Sequence, residues 1–188
     1  TEAEFYGDAR NPIGTARLEK STTKGYNILG NIYGEVSLFD KVTYKMLGGI
    51  DFKFWDNVNF SPKYDWKPIP VPNSYRGESS NKSLTYLWDN TITYMDTFNE
   101  KHNLNVMLGS SAQNNVYNYM NASIKEFLSD DYNQLNNGLL DPTVGGSKNE
   151  WALLSFFGRV NYSFDNKYLL TATVRHDGTS RITKSNRW

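Results

Sequence analysis

The chain contains no cysteine. Neither a disulfide framework nor a thiolate metal site can be built from it. Histidine is almost missing too: His102 and His176 are the only two, and they form no HxxxH-type pair, so a zinc site is not expected. The 20 Lys and Arg are balanced by 20 Asp and Glu. With no basic excess to neutralise a phosphate backbone, nucleic acid is not an expected partner. No run of 18 apolar residues occurs, which excludes a transmembrane helix. No Ser/His/Asp spacing, no GxSxG and no isolated carboxylate pair points to catalysis, and nothing points to a bound cofactor. The opening TEAEFYGDARNP has no charged segment followed by an apolar core, so it does not read as a signal peptide. If the protein is exported, the expectation is an internal piece of it.

What the chain does have is aromatic side chains, 13 Tyr, 10 Phe and 5 Trp in 188 residues, amid many Asn, Ser and Thr. They sit in a pattern of period two. In the last quarter, Phe156, Gly158, Val160, Tyr162 and Phe164 alternate with Ser155, Phe157, Arg159, Asn161 and Ser163. After Asp165-Asn166-Lys167, Tyr168, Leu170, Ala172 and Val174 alternate with Leu169, Thr171, Thr173, Arg175 and Asp177. This is a β-hairpin with one apolar and one largely polar face. Each arm is roughly ten residues, the length a tilted strand needs to cross a bilayer.

Two further hairpins share the rhythm. The six expected strands run roughly over 25–38, 42–54, 83–98, 102–112, 151–164 and 168–177, with tight turns near residues 40, 100 and 166. Residues 1–22 read as polar and irregular. Two long loops, roughly 56–82 and 113–149, separate the hairpins; Pro62, Pro68, Pro70 and Pro72 oppose regular pairing in the first. In the second, Ile124, Phe127 and Leu128 fall at helical spacing and suggest a short helix over Ala122–Leu128. Short turns at one end and long loops at the other, six strands of ten or more residues, and aromatics gathered near both ends fit an all-β antiparallel transmembrane β-barrel wall. A sandwich core filled by the same aromatics, as in a secreted β-rich carbohydrate-binding module, is the competing reading.

The stretch SFFGRVNYSFDNKYLLTATVRHDGTSR resembles the SusC/RagA-type TonB-dependent outer-membrane transporters of Bacteroidetes. The resemblance rests on Ser155, Phe157, Gly158, Arg159, Asn161, Tyr162, Lys167, Tyr168, Leu169, Leu170, Arg175, Asp177, Gly178, Ser180 and Arg181. Thr179 and Ile182 depart mildly, where Ser and Phe are usual in the family. Upstream, LTYLWDNTITYMDTFNEKHNLNVMLGSS resembles a second family hairpin through Asn90, Thr93, Tyr94, Phe98, His102, Leu104, Val106 and Gly109. The resemblance implies a 22-stranded barrel of which this chain supplies about six strands. It also implies a plug, a TonB-binding segment and a closing strand that the chain does not show, with Trp188 read as lying in a loop. It implies import of an oligosaccharide or peptide across the outer membrane, with a SusD-like surface lipoprotein and TonB as partners.

In that reading Arg159, Arg175 and Asp177 face the interior of the barrel, as a hydrogen-bond ladder that fixes register or as contacts to plug or substrate. Asp177-Gly178-Thr179-Ser180 lacks the repeated carboxylates of a calcium loop and reads as a turn. Tyr64, Trp66 and Tyr75 in the first loop, and Tyr117 and Tyr119 with Tyr132 in the second, are the candidates for substrate or lid contact. The even-numbered Leu154, Phe156, Val160, Leu170 and Val174 are expected to point away from the protein; enclosure between two sheets would favour the binding module.

Overall fold

The computed structural model describes residues 12–66, 69–183 and 187. The expectations for residues 1–11, Pro68 and Trp188 fall outside the described residues. A short helix, α1 (Pro12–Leu18), is followed by β1 (Lys20–Leu38), β2 (Val42–Ser61), β3 (Tyr75–Phe98), β4 (His102–Lys125), β5 (Leu140–Phe164) and β6 (Tyr168–Thr179). All six strands belong to one antiparallel sheet in sequence order, β1-β2-β3-β4-β5-β6. Lys20 opens β1 five residues before the expected start, and α1 occupies part of the stretch read as irregular.

The tight turns follow from side chains that tolerate left-handed backbone. Lys101 N–H donates to the Phe98 carbonyl and Lys167 N–H to that of Phe164. The two central residues of each turn have positive φ: Asn99 and Glu100 in one, Asp165 and Asn166 in the other. That is the type I′ geometry whose twist matches antiparallel strands, and Asn and Asp are among the residues that adopt it at least cost. The first turn differs, with Phe39 at φ 68°.

The expected loops 56–82 and 113–149 are much shorter in the structure. β2 continues to Ser61, β3 begins at Tyr75, β4 runs to Lys125 and β5 starts at Leu140. Only 62–74 and 126–139 connect them. The strands stop short of Pro62 and resume after Pro72, with Tyr64 and Val71 bridged between them; pairing continues on either side of these prolines. The helix expected over Ala122–Leu128 does not form: residues 122–125 are strand, and two single 3₁₀ turns, Asp130–Tyr132 and Leu135–Asn137, lie further on.

The chain packs as two compact units. The first gathers the described residues up to Tyr26 with Lys53–Lys82 and Tyr117–Lys148. It holds a small core: Phe60 and Phe127 are buried and meet edge to face at 5.9 Å. Ser74, fully buried, accepts the Phe127 N–H on its hydroxyl at 2.9 Å, and its carbonyl accepts the Glu126 N–H at 2.8 Å. Lys63 Nζ reaches Glu126 Oε1 at 2.8 Å. The two connections are thereby latched together.

The second unit contains Asn27–Phe52, Ser83–Val116 and the chain from Asn149. Here the two faces of the sheet part company. Leu154, Phe156, Val160, Leu170 and Val174 are exposed, from 37% for Leu154 to 70% for Val174, while Ser155 on the opposite face is fully buried. Every described strand lies in the one sheet, and Phe60 and Phe127, both in the other unit, are the buried apolar side chains. The apolar face is covered by no second layer among the described residues, which removes the sandwich core.

Candidate functional site

The structure divides the candidate residues among three places. Tyr64 and Val71 exchange both backbone hydrogen bonds, pinching the 62–74 connection into a small ribbon. Pro62 is buried at its base. On it Tyr64 and Trp66 lie with ring centroids 4.9 Å apart, tilted by 39°. The indole of Trp66 packs so tightly on Gly14 that any side chain there would displace it. Trp66 and Tyr75 are each about two-fifths exposed, at 39%.

Tyr117 and Tyr119 are not in a loop; both belong to β4. Tyr117 stacks on Trp55 of β2 at 6.1 Å and 26°, and its hydroxyl donates to Asn81 Oδ1 at 2.7 Å. Asn81, buried, in turn donates to the Trp55 carbonyl at 3.4 Å. These residues share the odd-numbered face with a polar ladder in which Ser21 bonds Asn59, and Thr23 and Ser79 bond Asn57. The hydrogen bonding spends the Tyr117 hydroxyl on the wall itself. Trp55 and Asn81 were not picked out from the sequence; their odd numbering, shared with Tyr117, was the available signal.

Arg175 and Asp177 are brought together on the odd face of β6. Arg175 donates from Nε to Asp177 Oδ1 at 2.8 Å and from Nη2 to Ser155 Oγ at 3.0 Å. Its guanidinium lies 6.0 Å from the centroid of Phe157. Phe157 in turn is pressed onto Gly109 of β4, where a Cβ would overlap the ring. Arg159, opposite Thr173 in the register and so diagonal to Arg175 on the same face, is exposed.

The tight-turn ends carry the remaining polar contacts on the apolar face. His102 Nδ1 lies 2.7 Å from the Tyr162 hydroxyl, with its ring 4.9 Å from that of Phe164. Lys41 donates to Asp96 at 2.8 Å, and Asp96 also accepts from Tyr94. The Asp96 carboxylate holds the Lys41 ammonium above its ordinary range, chiefly through that hydrogen bond.

No family model matches the sequence. Curated relatives and solved structures do match. The chain is 28% identical to the TonB-dependent receptor P39 of Formosa agariphila over 183 residues, 95% of this chain. Over 50 residues, 27% of this chain, it is 50% identical to the TonB-dependent receptor SusC of Bacteroides thetaiotaomicron. Its fold superposes on the RagAB peptide transporter with a TM-score of 0.83 over 92% of the chain, at 24% identity. The chain belongs to the SusC/RagA-type TonB-dependent transporters. It spans 17% of the P39 receptor and 19% of the matched RagAB chain. Within this family fold its six strands are a stretch of barrel wall.

Proposed function

We propose that this chain forms part of the wall of an outer-membrane barrel that imports a nutrient, with its even-numbered face in lipid and its odd-numbered face toward the lumen. The observation that carries this reading is the sidedness of the sheet. Ile32, Ile92, Leu108, Phe156, Leu170 and Val174 are uncovered on one face, while the other is tied together by hydroxyl, amide and guanidinium hydrogen bonds. In water that arrangement leaves the apolar side chains without a solvent to suit them; in a bilayer it satisfies both faces. The I′ turns then lie on the periplasmic side.

The cargo in this proposal is an oligosaccharide or a peptide, the SusD-like lipoprotein caps the outer end, and TonB acts through another part of the polypeptide. The names of the relatives and the exposed Trp66 beside Tyr64 support it, since an aromatic side chain can stack on a sugar ring or pack on a peptide or lid. The decisive experiment is fractionation of the full-length protein from its native cells. Extraction from outer membranes only with detergent is the expected result. Recovery in the soluble fraction would overturn the barrel and favour a secreted binding module.

A further inference from the structure

The odd face of β5 and β6 carries two arginines at neighbouring register positions. The register opposes Arg159 to Thr173 and Phe157 to Arg175. Arg159 and Arg175 are therefore diagonal neighbours on one face, about 7 Å apart at the backbone. Like charges at that spacing repel each other. Asp177 answers only one of them: it pairs with Arg175, which also bonds Ser155. The nearby Thr171 donates to Asn161 and brings no charge. Among the described residues Arg159 has no acid within ion-pair distance. Two guanidiniums against one carboxylate leave a surplus of one positive charge.

We propose that Arg159, together with the donors of Arg175 not used by Asp177 and Ser155, forms a carboxylate-binding site on the barrel wall. The inference rests on the lumen assignment above. One carboxylate matches the surplus of one charge, and the planar fork of an arginine fits its two oxygens. Barrels of this width have a plugged lumen, so the carboxylate can come from an acidic side chain elsewhere in the same polypeptide. The other source is the terminal carboxylate of an imported peptide.

The test uses the full-length transporter in lipid nanodiscs, with the photo-crosslinker p-benzoylphenylalanine at Thr173 and Arg159 intact. It is irradiated alone, with acetyl-trialanine, and with the C-terminal amide of that peptide; adducts are mapped by mass spectrometry. An adduct beside an Asp or Glu outside residues 1–188, formed without peptide, identifies the chain as the source. An adduct with acetyl-trialanine but not its amide identifies the cargo. In either case Arg159→Gln lowers the yield by about tenfold, as loss of a charge-assisted contact implies. Adducts confined to wall residues, or a yield indifferent to Arg159→Gln, overturn the site while leaving the barrel intact. Adducts to nanodisc lipid overturn the lumen assignment itself.

Discussion

Tyr44 donates its phenolic proton to the side-chain oxygen of Asn90 at 2.7 Å, linking β2 to β3 on the largely apolar face. Asn90 interrupts the apolar set of β3, and an amide facing hydrocarbon without a partner is costly. The tyrosine supplies that partner from the neighbouring strand. Tyr44→Phe should lower barrel stability by about 1–3 kcal/mol, read from the denaturant midpoint of the full-length protein in detergent. Tyr44→Phe with Asn90→Leu should recover part of the loss. An unchanged midpoint in the single variant would show that lipid or water already satisfies the amide.

Gly109 admits the Phe157 ring, which also lies 6.0 Å from the Arg175 guanidinium. Gly109→Ala should cost about 1–3 kcal/mol through overpacking. Combining it with Phe157→Leu should relieve the strain, which a loss caused only by backbone flexibility would not permit.

The sidedness of β6 can be tested on one strand. Val174→Arg should destabilise the barrel by about 2–4 kcal/mol if it faces lipid near mid-depth, while Thr171→Arg on the other face should cost about 1 kcal/mol or less. Equal costs would mean that the two faces see the same solvent.

The latch between the connections is a local device. Ser74→Ala leaves the buried Phe127 N–H without its acceptor, a loss of about 1–3 kcal/mol. It should appear as faster hydrogen exchange and protease cleavage in 126–139. Lys63→Ala removes only a half-exposed ion pair and should change cleavage little, since such pairs contribute about 1 kcal/mol or less.

Lys41 and Asp96 give a pH test. The folded state raises the lysine above its ordinary 10.5. The contribution is therefore complete below pH 10.5 and is lost as pH rises through the folded-state value. The difference in midpoint between wild type and Asp96→Asn should hold at neutral pH and shrink above pH 10.5. A difference that persists there would assign the effect to Tyr94 rather than to the ammonium.

The parts legible from sequence were those that lipid constrains. Alternation from Tyr26 to Phe54, and again over 151–177, is what the proposed barrel requires, one face meeting hydrocarbon and the other not, so the strands and turns there could be placed. Beyond them, YRGESSNK is polar on both faces and continues the ladder without a periodic signature, whereas Val116, Met120, Ala122 and Ile124 keep the even face of β4 largely apolar. The apparent helical triad of Ile124, Phe127 and Leu128 serves three separate purposes: Ile124 packs on Gly138, Phe127 fills the small core, and Leu128 is 91% exposed. Tyr117 was legible as an aromatic but not as a wall residue, because its partner Asn81 lies 36 residues away. The Arg175–Asp177 contact was within reach of the pattern, two residues apart on one face of a strand.

β3 and β4 are 24 residues long, whereas roughly ten suffice to cross a bilayer. In the proposed barrel each is thus one hydrogen-bonded ladder passing through two solvents. The part in hydrocarbon cannot open without exposing backbone groups to lipid, but the part beyond it can fray in water at far lower cost. The same strand can be an immovable wall at one end and a yielding mouth at the other, with no hinge residue between them.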